Sequence, residues 1–386
     1  MTYSGGCARL GAMINALFLI NYAGKAGTER YVRTLAEGAA GYGVRPFFAY
    51  NEPGPLYEQM RGMGVDCRQI AMKNPFDIAA ALKLARICGE LDIDVIHTNY
   101  LRENYIAVLA KLLAGKRKNG RGGIKVIYTN HYVVPNNLPV RLFNRLMTRA
   151  DHRIISVCHA GAPLLIANGA AKDRIVVIHN AIDPDVWRPG PDYGAARARV
   201  RREYGAGDNE TVFLCASRFA HDKGHSFLVE SLARLSASHG AAGVKVLLAG
   251  DGPLEQDVRA RVKAAGLSDM VRFTGFVADI KPLFYASDVY LNPSQHEALS
   301  FLIIEALAAG LPVIAADMGG NREIVNADNG CGILVRYGDA EALCAAMQTL
   351  RTDGARLREM RENAFKTVER DFALNDMLAK TFAQFK

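Results

Sequence analysis

No stretch of roughly 18 consecutive apolar residues occurs anywhere in the chain, which argues against a bilayer-spanning helix. Low-complexity tracts are also lacking, so no disordered array or long solvated tail is expected. The seven cysteines (Cys7, Cys67, Cys88, Cys158, Cys215, Cys331, Cys344) are odd in number and scattered, with no C-x-x-C pair and no Cys/His ligand spacing. That pattern excludes a disulfide framework and a structural zinc site, and it fits reduced thiols in a reducing compartment. The apolar run Ile14 to Ile20 follows an arginine, as a secretory signal would, but it is short, holds Asn15 and precedes no small-residue cleavage site. It reads as a first buried strand, and a cytoplasmic location is expected.

What is present is a 386-residue chain that is 50% hydrophobic and carries a net charge of +8. That length exceeds one ordinary core, and two domains are expected. The positive charge has two dense patches. One comprises Lys111, Lys116, Arg117, Lys118, Arg121 and Lys125, the other Arg197, Arg199, Arg201 and Arg202. Such patches suit phosphates or anionic lipid, or else form solvated faces. No nucleic-acid reader motif accompanies them, so nucleic acid is not an expected partner.

From Ile14 onward, short apolar runs alternate with segments of helical period. INALFLI precedes TERYVRTLAEGAAGYG, where Tyr31, Val32, Leu35, Ala36 and Ala39 fall on one face. VRPFFAY, DVIHTN, IKVIYTN, HRIISV and IVVIHN follow, separated mostly by helices. Strands this apolar are buried on both faces, which implies a parallel sheet between helix layers. The pattern breaks at AIDPDVWRPGPDYG, a linker-like stretch, and resumes with TVFLCAS, VKVLLAG, VRFTG, VYLNPS, PVIAAD and GILV. The chain is therefore read as α/β, with two doubly wound Rossmann-like domains facing across a cleft. Residues 1–185 form the first domain, 186–372 the second, and a last helix at about 373–386 returns to the first. Ligands of such sheets collect at the carboxyl ends of the strands.

Two segments of the second half carry chemistry. In SQHEALSFLIIEALAAGLPVIAAD, Glu297 lies in a strand-end loop, a helix starts near Ser300, Glu305 sits within it, and Gly310 with Pro312 ends it. The free backbone N–H groups and positive dipole of that helix start favour a diphosphate. In LCASRFAHDKGHSFLVESL, Arg218 and Lys223 occupy another strand-end loop and offer a planar fork and a compact charge for the same anion. Other readings are weaker. GKAGTER lacks the order of a phosphate loop, and GDGPL lacks the third glycine of a dinucleotide fingerprint. Asp92 with Asp94, and Asp183 with Asp185, mimic metal-binding D-x-D but suit turns and caps. His97 and His159, at or near strand ends, read as hydrogen-bonded sheet-edge histidines.

The ordered set S-R-F-x3-K-G, LLAGDGPL, VRFTGFV, Glu297-x7-Glu305, ALAAGLPVIA and GGNREIV resembles the retaining glycosyltransferases of family 4, which have the GT-B fold. GTERYV, DVIHTN, YTNHY and VIHNAID extend the resemblance over nearly the whole chain. The resemblance implies a nucleotide-sugar donor and a sugar or lipid-linked acceptor. It places Arg218 and Lys223 on the donor diphosphate, Glu297 on the transferring sugar with the amides of Leu299, Ser300 and Phe301 beside it, and Glu305 near the ribose. It sets His131 over the sugar near the anomeric carbon and Gly27 on the first strand-to-helix loop. The sequence departs from the family pattern at Ala26, where a glycine is usual before Gly27, and at Ala181. The implied cofactor is none, with no obligatory metal, and UDP is the preferred nucleotide. A GT-B nucleotide-sugar 2-epimerase is the alternative enzyme, and a non-catalytic basic binding protein would leave Glu297 and Glu305 unexplained. The helix PVRLFNRLMTRA mixes apolar residues with Arg141, Arg145 and Arg149, which suits peripheral contact with an anionic membrane or packing on the sheet. The oligomeric state is not legible.

Overall fold

The computed structural model describes residues 13–114, 123–131 and 134–386, and they form two compact units. One runs through His179 and takes back Asn375–Lys386; the other is Asn180–Leu374.

The first unit is a parallel sheet of seven strands: β1 (Ile14–Tyr22), β2 (Val44–Glu52), β3 (Asp66–Gln69), β4 (Val95–Thr98), β5 (Lys125–Asn130), β6 (Arg153–Ser156) and β7 (Ile175–Val177). Their order is β3-β2-β1-β4-β5-β6-β7. The second unit has six: β8 (Thr211–Ala216), β9 (Val244–Ala249), β10 (Val271–Gly275), β11 (Val289–Asn292), β12 (Val313–Ala316) and β13 (Gly332–Val335), in the order β10-β9-β8-β11-β12-β13. Every pairing among named strands is parallel. The strand order reverses between β1 and β4 in one unit and between β8 and β11 in the other. A crevice opens at such a reversal, outside the carboxyl ends of the two strands.

The cores follow from the apolar runs. Ala16 to Ile20 of β1 and Val212 to Cys215 of β8 are buried, each Leu or Phe contributing about 1.5–3 kcal/mol relative to exposure. In the helix Gly27–Gly38, Tyr31, Val32, Leu35 and Ala36 are all buried, as their shared face requires. Cys88, Cys158, Cys215, Cys331 and Cys344 are buried free thiols that act as small apolar side chains.

Three features were not read from the sequence. β3 is the edge strand Asp-Cys-Arg-Gln, half exposed and with a single apolar residue. The helices Pro55–Gly62 and Gly161–Ala167 are two turns long and carry little periodic signal. The two chain crossings run side by side: Ile182 bridges Ala373, with Ile182 N donating to Phe372 O (3.1 Å) and Leu374 N to Ile182 O (2.9 Å). Beyond them, the helix Leu374–Ala383 buries Leu378 and Phe382, and Tyr42 Oη donates to the carbonyl of Asn375 (3.0 Å).

The second basic patch is not a free phosphate surface. Arg197 and Arg201 fork onto the two oxygens of Asp288 at 2.6 and 2.7 Å, and buried Arg201 also donates to the carbonyls of Ala286, Gly207 and Glu210. These two arginines tie the helix Tyr193–Glu203 to the loop before β11; Arg199 and Arg202 stay exposed. In the first patch, Lys111 donates to Ala150 O (2.7 Å), while Lys116, Arg117, Lys118 and Arg121 lie outside the described residues. Asp183 caps the short helix Pro184–Trp187 by accepting from Asp185 N (3.0 Å), and Asp94 accepts from Asn15 N (2.9 Å).

Candidate active site

Arg218 and Lys223 follow β8, and Glu297 follows β11, so the reversal point of the second sheet brings the two motif loops together. The contact is direct: Lys223 Nζ donates to Glu297 Oε1 at 2.9 Å. Burial works against the lysine's charge, and the Glu297 carboxylate, with Asp222 behind it, outweighs that loss, leaving the Lys223 pKa above its ordinary value. Lys223 is therefore cationic at any physiological pH. Arg218 is exposed, and its guanidinium is close enough to act on Lys223 as a like charge. Two cations side by side form a site for an anion with more than one charge.

The loops are stitched by backbone as well. Gln295 N donates to Asp222 O (2.8 Å), and Gly224, at φ +70°, passes so close to Pro293 that a Cβ would lie 1.9 Å from its carbonyl oxygen. From below, Gly320 N donates to Ala298 O (2.8 Å), and a Cβ on Gly319 would stand 1.7 Å from the carbonyl oxygen of Glu297. The GDGPL loop takes part in the same scaffold. Phe219 N donates to Asp251 O (2.8 Å) and Leu254 N to Phe219 O (3.1 Å), so this glycine-rich turn braces the Arg218 loop.

Beside Glu297 the helix Phe301–Ala308 begins. Ser300, at its N-cap, is extended (φ −74°, ψ 116°) and makes no side-chain cap bond. The hydroxyl instead accepts from Asn292 Nδ2 (3.4 Å), which leaves the first-turn N–H groups to a ligand. Leu299 and Ser300 are buried, Phe301 is half-buried, and Glu305 is buried one turn inside the helix. Asn180, from VIHNAID, donates Nδ2 to Leu299 O (3.1 Å) and so fixes the loop from another segment. Asn180, Gly224 and Gly319 are positioning residues that motif reasoning did not single out. Each stood in a quoted segment, Asn180 in VIHNAID, Gly224 in K-G and Gly319 in GGNREIV, but no role was read for it.

Gly27 and His131 belong to the other unit. Gly27 is exposed at the first turn of its helix, whose N-cap Ala26 also makes no side-chain cap bond. His131, just past β5, places Nε2 3.1 Å from Asn99 Oδ1 and packs its ring edge-on to Tyr31 at 4.8 Å. Asn99 Oδ1 accepts, so Nε2 carries the proton. Burial pushes the imidazole pKa down to about 3, and the ring is neutral. His97 is deeper: Nε2 meets Thr129 Oγ1 at 2.8 Å and the ring contacts Phe18 and Phe385, which makes it a core histidine. His159 is exposed and stands edge-on to His179. Two acids at this strand edge were also missed. Burial pushes Glu103 up to about 7 while its Oε1 accepts from Asn21 N (2.6 Å), and burial raises Glu29 as well.

Paired Rossmann-like units of this topology define the GT-B class. The Anabaena protein HepE, solved with UDP, superposes with a TM-score of 0.83 over 96% of this chain and 99% of its own, at 21% identity. A Rickettsia africae glycosyltransferase gives 0.81 over 97% and 98%, at 24% identity. The model "Glycosyltransferase Family 4" matches residues 26–186, and "Glycosyl transferases group 1" matches 196–367. The GDP-mannose-dependent alpha-(1-6)-phosphatidylinositol monomannoside mannosyltransferase of Mycobacterium tuberculosis is 33% identical over 283 residues, 70% of each chain. The N-acetyl-alpha-D-glucosaminyl L-malate synthase of Bacillus anthracis is 27% identical over 310 residues, 77% of this chain and 76% of its own. The chain belongs to glycosyltransferase family 4, and it is a glycosyltransferase of GT-B fold.

Proposed function

We propose that the chain transfers a sugar from a UDP-sugar to an acceptor with retention at the anomeric carbon. The observation that carries the proposal is the pairing of Lys223 with Glu297 beside the open start of the helix Phe301–Ala308. Arg218 and Lys223 hold the donor diphosphate and offset the charge that grows on it as the glycosidic C–O bond breaks. The amides of Leu299, Ser300 and Phe301 bind the same group, Glu297 takes hydroxyls of the transferring sugar, and Glu305 takes the ribose. Gly27 lets backbone approach the donor, and neutral His131 lies over the sugar. The acceptor oxygen attacks the face from which the diphosphate departs, and its proton passes to a phosphate oxygen of the leaving group. Fixed cations supply the charge stabilisation, so no metal is required in this scheme.

The choice of uridine follows HepE, which is seen with UDP and with UDP-glucose, over the GDP-mannose of the mycobacterial relative. A thermal-shift screen over uridine and guanosine diphosphates and their sugars tests it, because a ligand raises the melting temperature according to its affinity. NMR of the product anomer tests retention. An inverted product overturns the stereochemical reading, and release of a free epimerised sugar without an acceptor identifies an epimerase instead.

The acceptor in this reading is lipid-linked, in cell-envelope or polysaccharide synthesis, and the enzyme works peripherally at the inner face of the membrane. The helix Leu138–Met147 supports it. Phe143 and Met147 turn inward, with Phe143 against Tyr105 and Phe76, but Leu138, Leu142 and Leu146 are 57–65% exposed between exposed Arg141, Arg145 and Arg149. An apolar row one turn apart, rimmed by cations, suits an anionic bilayer surface. No helix among the described residues is long and apolar enough to cross a membrane.

A further inference from the structure

The segment Asn375–Lys386 belongs to the first unit and touches the helix Gly27–Gly38 in two places. A Cβ on Gly38 would lie 2.6 Å from Leu378 Cδ1, and the fully buried Thr381 flanks the Tyr31 hydroxyl. Phe385 is buried with its ring 5.9 Å from that of His97. Lys125 Nζ donates to the carbonyls of Phe385 (3.2 Å) and Lys386, which pins the segment to β5, the strand that His131 follows.

From Phe385 a chain of buried groups leads to His131. His97 Nε2 and the Tyr31 hydroxyl both meet Thr129 Oγ1, at 2.8 and 3.5 Å. The Tyr31 ring stands 6.0 Å from the His97 ring on one side and edge-on to His131 at 4.8 Å on the other. Burial pushes the His97 pKa down to about 3, so the ring is neutral and the chain transmits position, not a proton. Close-packed side chains pass a displacement on instead of absorbing it.

His131 needs such support. Its hydrogen bond to Asn99 Oδ1 fixes one atom, Nε2, and a ring held at one atom can still tilt about it. The edge-on contact with Tyr31 supplies the missing constraint on the ring plane. Gly27 lies one turn before Tyr31 on the same helix, so the seating of that helix sets both of the site residues in this unit.

We propose that Tyr31 is a positioning residue for His131, and that the segment Asn375–Lys386 sets Tyr31 through Thr381 and through the contact of Phe385 with the His97–Thr129 pair. A role in stability alone would leave His131 in place when Phe385 is changed, because His97 and Tyr31 lie between them. The effect on turnover rests on the reading of His131 as lying over the transferring sugar; the relay itself does not.

Histidine-ring NMR on the full chain tests the relay without a ligand, the His131 signal being identified by its loss in His131→Gln. In Phe385→Leu, or in Phe385→Met should the first not fold, that signal should move by more than its linewidth or split in two. Ile87→Val, buried in the same unit but off this path, should leave it in place. UDP release from UDP-glucose, with water as acceptor, is the second readout. Tyr31→Leu should lower kcat about tenfold or more with KM changed by no more than about twofold, and Tyr31→Phe, which keeps the ring, should restore most of the rate. Three results overturn the proposal: a His131 signal unmoved in the folded Phe385 variant, an equal movement in Ile87→Val, or wild-type kcat in Tyr31→Leu where His131→Gln is impaired. If the signal moves as expected while His131→Gln turns over at the wild-type rate, the relay stands and the place of His131 over the sugar falls.

Discussion

Lys223 and Glu297, 74 positions apart, meet in a single 2.9 Å hydrogen bond at the point where the second sheet reverses its strand order. Without donor, each neutralises the other. Under the proposed function, a diphosphate would compete with Glu297 for the lysine and release the carboxylate toward the sugar hydroxyls, and donor binding and sugar recognition would then be coupled through one side chain.

That coupling predicts unequal effects of neighbouring substitutions. Lys223→Ala removes a positioned charge and leaves Glu297 without its partner, and turnover should fall about a hundredfold or more. Arg218→Ala should fall by a similar factor while leaving the Lys223–Glu297 pair in place. Steady-state kinetics on folded variants check both, and near-normal turnover in either would count against the diphosphate assignment. Lys223 stands above its ordinary pKa, so its charge is lost only at strongly alkaline pH. The rate should therefore show no lysine titration between pH 6 and about 9.

Gly319 and Gly338 both have positive φ, +53° and +85°, yet their surroundings differ. A Cβ on Gly338 meets nothing within 4 Å, whereas on Gly319 it would strike the Glu297 carbonyl. Gly338→Ala should cost only backbone strain, about 1 kcal/mol, and spare activity. Gly319→Ala must also displace the Glu297 loop; about 2–3 kcal/mol of stability and most of the activity should be lost. Melting curves and transfer assays on the pair separate strain from displacement. Equal effects would show that the Glu297 loop tolerates the shift.

Strand positions were legible wherever a strand is buried on both faces, because an apolar run has no other use there. β3 was not, since an edge strand with Asp66, Arg68 and Gln69 obeys no such constraint. The site was legible as two motifs, but their stitching was not. Gln295 on Asp222, Gly224 under Pro293 and Asn180 on Leu299 join residues far apart in sequence, and long-range backbone contacts leave no local period. Charge counting misled in one place. A run of arginines looks the same whether solvated or folded onto an aspartate, and Arg197 and Arg201 are folded onto Asp288.

Asp151 carries a pH dependence. Burial pushes its carboxyl up to about 8, with Asn104 Nδ2 donating to Oδ2 at 3.1 Å and Oδ1 buried with no hydrogen-bond partner among the described residues. The folded state thus holds a proton that the unfolded chain, with an aspartate near its ordinary value, releases above pH 4. Protonation in the folded state is greater between about pH 4 and 8, so this residue's contribution to stability declines as pH rises through that window. Asp151→Asn keeps the shape and removes the titration. The melting temperature should rise relative to wild type at pH 8, by at least the 2–4 °C that about 1 kcal/mol gives in a unit of this size, and by less at pH 5. A gain independent of pH would show that Asp151 is ionised throughout.

Leu142 and Leu146 test the membrane reading without touching the site. Both are more than half exposed on the helix Leu138–Met147, so replacing them breaks no core contact and should change stability by no more than about 0.5 kcal/mol. If the leucine row inserts at a bilayer surface, Leu142→Glu with Leu146→Glu loses buried apolar area and adds two charges that anionic headgroups repel. Cosedimentation with phosphatidylglycerol-containing vesicles should fall about tenfold or more, with the UDP thermal shift unchanged. Arg141→Gln with Arg145→Gln should also weaken it, and only on anionic vesicles, because the cations act through surface potential and the leucines through burial. Vesicle binding that ignores both double variants would exclude this helix as the docking face.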